Sequence, residues 1–125
     1  MTTNPSERPP KVLIVEDEAL LLFAIADDLR DAGFEVLEAA NADKAIDLLR
    51  ADADIRILFT DIDMPGSMDG LRLSAVVRDR WPPIRIIITS GKQRPADDLM
   101  PKDGMFLAKP YSPVSVVKAM QTMLG

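Results

Sequence analysis

The chain has 125 residues, 47% of them hydrophobic, and its 20 acidic against 15 basic side chains leave a net charge of -5, which is enough for one compact domain with a core and short for two. It contains no cysteine and no histidine, so disulfides, thiolate or imidazole metal sites, a cysteine nucleophile and an imidazole base are all excluded. The acidic balance argues against direct nucleic-acid binding, which rests on clustered Lys and Arg, and no apolar run reaches the roughly 18 residues of a membrane span.

The start, "MTTNPSERPP", lacks the apolar core of a secretory signal, so a soluble, cytoplasmic protein with no membrane partner is expected. Residues 1–10 hold three of the ten prolines and read as a disordered lead-in to a single domain over 11–125. "KVLIV", Lys11 to Val15, fits a strand buried on both faces, and it stops at Glu16, Asp17 and Glu18. Leu21, Ile25, Leu29 and Ala32 recur at helical spacing, with Gly33 as the stop. "FEVLEA" alternates as a more exposed strand does. Asn41 then offers an N-cap for a helix with Ala45, Ile46 and Leu49 inward.

"IRILFT" is the third strand, and it runs into Asp61 and Asp63 before breaking at Pro65 and Gly66. Asp69 can cap a helix carrying Leu73, Val76 and Val77, closed by Trp81, Pro82 and Pro83. "IRIIITS", Ile84 to Ser90, is the fourth strand and "MFLA", Met105 to Ala108, the fifth. Between them "KQRPADDLMPKDG" leaves room for a short or irregular fourth helix before Pro101. Ser112 and Pro113 make an N-cap and first-turn pair for a last, fifth helix with Val117, Met120 and Leu124 inward.

Strands alternating with helices imply parallel pairing through right-handed crossovers, an α/β doubly wound five-stranded sheet with helices on both faces. With strand order 2-1-3-4-5, the flavodoxin-like arrangement, the ligand crevice lies beyond the carboxyl ends of the central strands. Glu16 and Asp17, Asp61, Thr89 and Ser90, and Lys109 all stand at such ends. Three carboxylates there repel, by about 4 kcal/mol per pair at 4 Å and an effective dielectric near 20, and so call for a cation. Hard oxygen donors and few protein ligands suit Mg2+. With the Lys109 ammonium and a hydroxyl, the set makes a phosphoryl pocket.

These residues carry a resemblance. The acidic pair Glu16 and Asp17, Asp61 in "TDIDMPGSMDG", the hydroxyl in "IIITSG" and the "KP" of Lys109 and Pro110 occur in order, and from about Lys11 to Leu124 the chain resembles a response-regulator receiver domain of the two-component, chemotaxis-regulator type. The resemblance implies a phosphorelay signalling switch in which Asp61 is phosphorylated by a histidine kinase or a histidine phosphotransfer protein. It implies that Glu16, Asp17, Asp61 and the backbone carbonyl of Asp63 hold Mg2+ and that Lys109 contacts the phosphoryl oxygens. The bond before Pro110 would be cis. Ser90 would be the switch hydroxyl, with Thr89 as the alternative, and Phe106 the aromatic whose rotation follows phosphorylation. The changed surface of helix four, strand five and helix five would then meet a downstream target protein, or a second copy in a homodimer.

Such a domain catalyses its own phosphoryl uptake and loss but has no metabolic substrate. Gly66 and Ser67 stand where the family usually has one residue, which lengthens the loop after Asp61. Two other readings compete. "DIDMP" is similar to the Asp-x-Asp start of haloacid-dehalogenase-type, Mg-dependent phosphohydrolases, although there the further acids follow the lysine, whereas here Glu16 and Asp17 precede it. A receiver-like interaction module that is never phosphorylated is the other, and it is weakened because no element of the pocket is missing.

Overall fold

A computed structural model describes residues 8–125. Of the lead-in expected over residues 1–10, residues 1–7 lie outside the described part. The elements run β1 (Lys11–Val15), α1 (Ala19–Asp31), β2 (Glu35–Ala39), α2 (Ala42–Ala51), β3 (Ile55–Asp61), α3 (Gly70–Arg80), β4 (Arg85–Ser90), β5 (Met105–Ala108) and α4 (Pro113–Leu124). The five strands form one sheet in the order β2-β1-β3-β4-β5, and every pair is parallel.

Strand alternation divides the core into two layers. Val12, Ile14, Ile57, Phe59 and Ile87 pack with α1 and α4 through Ile25, Leu29, Val116 and Met120. Leu13, Val15, Leu58, Ile86 and Ile88 face the other way, onto Ala45 and Leu49 of α2 and Leu73 and Val77 of α3. Because β1, β3 and β4 are covered on both faces, their sequences are continuous apolar runs rather than alternating ones. Each buried Ile, Leu or Phe contributes about 1.5–3 kcal/mol of burial free energy. In α1 the inward stripe is set slightly differently from the periodicity: Leu22 and Ala26 join Ile25 and Leu29 in the core, while Ala32 is exposed at the C-cap.

Three helix starts follow from their capping residues. Asn41 accepts from the Lys44 amide at 2.8 Å and Asp69 from the Arg72 amide at 2.9 Å, each satisfying a first-turn N–H that has no carbonyl partner in the helix. Ser112 accepts from the Ser115 amide while the Ser115 hydroxyl accepts from the Ser112 amide, a reciprocal box with Pro113 in the first turn. Ser112→Ala is expected to cost about 1 kcal/mol, which thermal denaturation would read as a drop in Tm of about 4 °C.

The helix expected between β4 and β5 does not form. Residues 92–104 run through turns, with the Leu99 amide bonded to the Ala96 carbonyl at 2.9 Å and the Met100 amide to Asp97 at 3.3 Å. Pro95 and Pro101 leave only five residues between them, too few to offset the cost of nucleating a helix, and proline disfavours helical geometry at Met100 before it. The described residues therefore form four helices, and α4 is the element expected as the fifth. Among the described residues no helix is long and apolar enough to cross a membrane.

Candidate functional site

The carboxyl ends of β1 and β3 lie side by side, because Val15 pairs with Thr60 across the central ladder. The next residue on each strand is an acid, so Glu16 and Asp61 meet, at 3% and 4% exposure. Exposed Asp17 completes a group in which one carboxylate oxygen from each of the three lies within 4.8 Å of the others. The Glu16 backbone amide is held by the Ala39 carbonyl at 3.0 Å, and its side chain accepts from the Glu18 amide at 3.1 Å.

Lys109 reaches this group from beyond β5. Its amide bonds the Ser90 carbonyl at 2.9 Å, extending the β4–β5 ladder past the last paired residues. The peptide bond to Pro110 is cis, as expected. The ammonium donates to Glu16 Oε1 at 2.7 Å and lies 3.2 Å from Asp61 Oδ2. Asp61 Oδ1 is buried and has no partner.

The charges compete here. Burial pushes the Glu16 carboxyl above its ordinary range and the Asp61 charge adds to that, outweighing the bonds from Lys109 and the Glu18 amide. Burial likewise raises the Asp61 carboxyl against the nearby Lys109 charge. For Lys109, burial favours the neutral amine, but the hydrogen bond to Glu16 and the charges of Glu16 and Asp61 together hold the ammonium above its usual value. One cation thus serves two buried anions, with a third carboxylate alongside. That excess of negative charge, the all-oxygen donor set and the unpartnered Asp61 oxygen fit a hard divalent ion such as Mg2+.

The hydroxyls at the end of β4 are disposed differently from each other. Ser90, 1% exposed, donates to Asp63 Oδ2 at 2.7 Å and accepts from the Lys92 amide at 3.0 Å. Thr89 pairs in register with Asp61, and its hydroxyl is buried without a partner. Phe106 lies beside Ile88 in the ladder and packs, half-buried, against the layer of α2 and α3. Asp63 is in the loop beyond β3, its side chain exposed and 3.5 Å from Lys92.

Three contributors escaped the sequence reading. Tyr111 meets Phe59 edge-on at 5.7 Å, and burial with the nearby negative charges raises its phenol pKa; its place directly after "KP" was the available signal. Lys92 bears on Asp63 through its ammonium and on Ser90 through its amide. Gly70 begins α3 directly behind the Asp61 carbonyl. In the lengthened loop, Gly66 takes a φ of 113°, a left-handed value that glycine tolerates best. Ser67 beside it donates to Asp43 of α2 at 2.7 Å.

The family model described as the response regulator receiver domain matches residues 12–121. The chain is 34% identical over 128 residues to the transcriptional regulatory protein BaeR of Escherichia coli, a match covering 99% of this chain and 52% of BaeR. It is 32% identical to the chemotaxis protein CheY1 of Helicobacter pylori, covering 92% of this chain and 97% of CheY1. The crystal structure of a response regulator receiver protein from Sinorhizobium medicae superposes with a TM-score of 0.83 at 30% identity, covering 93% of this chain and 94% of the other. The chain thus spans about half of one relative and nearly all of another.

Proposed function

The chain belongs to the response regulator receiver domain family, the phosphorylation-dependent signalling switches of two-component systems, and from that premise we propose that Asp61 accepts the phosphoryl group here. Membership in that family sets aside the phosphohydrolase alternative. One observation carries the assignment of the acceptor: Asp61 is a buried carboxylate with one oxygen held by Lys109 and the other unpartnered, inside a group of three acids.

The donor in this reading is a phosphohistidine of a histidine kinase or of a phosphotransfer protein. A carboxylate oxygen of Asp61 attacks phosphorus. The bond from phosphorus to the imidazole nitrogen breaks, its electron pair stays on nitrogen, and an acyl phosphate remains on Asp61. Lys109 offers its ammonium to the oxygens as negative charge gathers on them. Glu16, Asp17, Asp61 and the backbone carbonyl of Asp63 would hold Mg2+, which when bound neutralises the transferring phosphoryl oxygens. The same site returns the protein to rest by hydrolysis of the acyl phosphate, and no metabolic substrate is involved.

The readout passes through the Ser90 hydroxyl drawn toward the phosphoryl group and through Phe106 on β5. Residues 92–104, β5 and α4 form the surface offered to a downstream protein. Because 92–104 is irregular, that surface presents turns with an exposed Leu99, and α4 presents an exposed Val114. As in the sequence reading, residues 11–125 act as one receiver unit.

Incubation with acetyl phosphate and Mg2+, followed by intact-mass measurement and peptide mapping, tests the assignment. One phosphoryl group on Asp61 is expected, and chelation with EDTA is expected to abolish it. A label on any other residue would refute the acceptor. Lys109→Met should leave the protein folded while slowing uptake by about 10²-fold, the usual cost of removing a donor to developing oxyanion charge; the time course of labelling measures it.

A further inference from the structure

Within the receiver reading, the Ser90 hydroxyl is the group that must bond the phosphoryl oxygens on Asp61. A serine hydroxyl has a single proton to donate. Here that proton goes to Asp63 Oδ2 at 2.7 Å, while the Ser90 oxygen accepts from the Lys92 amide at 3.0 Å. Both its donor and an acceptor position are occupied, and the residue is 1% exposed. The bond joins a hydroxyl to a carboxylate, which places it among the stronger, charge-assisted kind. The Asp61 oxygen Oδ1 meanwhile has no partner at all.

We propose that the Asp63 side chain is a latch: it holds the Ser90 hydroxyl away from Asp61 in the resting protein and so sets how readily the switch turns on. This rests on the receiver reading and adds to it a regulatory role for the side chain of Asp63, distinct from its backbone carbonyl. Lys92 makes the latch reversible. Its ammonium lies 3.5 Å from the other Asp63 oxygen, Oδ1, so Asp63 keeps a cationic partner when Ser90 turns away. Switching then exchanges one charge-assisted bond, Ser90 to carboxylate, for another, Ser90 to phosphoryl. Exchange of like for like leaves the two states close in free energy, so a modest change at Asp63 moves the population.

Beryllofluoride in saturating Mg2+, an unreactive mimic of the phosphoryl group, provides the test. Its affinity is measured by calorimetry for the wild type, Asp63→Ala, Ser90→Ala and the double variant. Asp63 is exposed and outside every helix and strand, so its loss should leave the circular dichroism unchanged. Asp63→Ala is expected to bind beryllofluoride about tenfold more tightly than the wild type, the equivalent of one hydrogen bond to a charged group. In the Ser90→Ala background the same change is expected to have little effect, because there is no hydroxyl left to release. Asp63→Asn, which keeps an acceptor without the charge, should fall between.

Equal tightening with and without Ser90, with Asn behaving like Ala, would mean that Asp63 acts only by repelling the incoming anion; it would overturn the latch and leave the receiver reading standing. No tightening on Asp63→Ala would also overturn it. Absence of beryllofluoride binding by the wild type would overturn the receiver reading and the latch with it.

Discussion

Asp61→Asn is expected to take up no phosphoryl group from acetyl phosphate and Mg2+ under conditions that label the wild type fully. A carboxamide is a poor nucleophile and cannot form the acyl phosphate, so the loss is of the reaction itself rather than of a fraction of its rate. The variant should also fold more stably than the wild type in EDTA. Burial holds the Asp61 carboxyl above its ordinary value of 3.8 despite Lys109, which means that the folded state binds this proton more tightly than the unfolded chain. Ionising Asp61 therefore costs stability at neutral pH, and wild type regains that stability as pH falls from the raised value toward 3.8. The variant's advantage, about 1–3 kcal/mol for an incompletely satisfied buried group, should be largest near neutral pH and fade in acid. Urea denaturation at several pH values measures it, and an advantage that grew on acidification would contradict the burial account.

Gly70→Ala should damage fold and site together. A Cβ on Gly70 would stand 2.0 Å from the Asp61 carbonyl oxygen, 2.7 Å from its carbonyl carbon and 2.9 Å from the Ile62 Cα. These are backbone atoms at the end of a central strand, so no side chain can turn aside to make room. The same carbonyl oxygen accepts from the Thr60 hydroxyl at 3.0 Å, and the Gly70 amide bonds the Ile62 carbonyl at 3.1 Å. Relief requires the start of α3 to move away from β3 or the acceptor to shift. Overpacking against side chains typically costs 1–3 kcal/mol; against fixed backbone we expect about 3 kcal/mol or more, read as a lower urea midpoint. Phosphoryl uptake per folded molecule should fall as well, since Asp61 moves with its carbonyl. Unchanged stability and unchanged labelling would show that α3 does not press on the acceptor strand.

Much of the architecture was legible in the residues. The apolar runs 11–15, 55–60 and 84–90 read as strands, and Asn41, Asp69 and Ser112 announced helix starts that the structure places where their side chains cap. Local chemistry decides such features, and local chemistry is what a sequence states. At 92–104 the expected helix failed because Pro95 and Pro101 leave too little chain between them to sustain one, although the rest of the composition allowed it. The boundary of the α1 stripe also drifted, because Ala32 sits at the cap rather than within the last turn.

By itself the sequence determined the kinds of groups available, their order along the chain and the periodicity that makes strands and helices alternate. From these the acids at two strand ends, the hydroxyls at a third and the lysine beyond a fourth follow directly. Only the tertiary structure decided how they are shared. Glu16 and Lys109 are 93 positions apart and bond at 2.7 Å because parallel strands carry their carboxyl ends to one edge. Whether the Lys109 charge is spent on Glu16 or on Asp61, which oxygen of Asp61 is left without a partner, and which of Thr89 and Ser90 holds a bond depend on distances of a few tenths of an ångström between elements. Those distances come from packing, where every contact is set by the rest of the core at once, and no local stretch of residues encodes them.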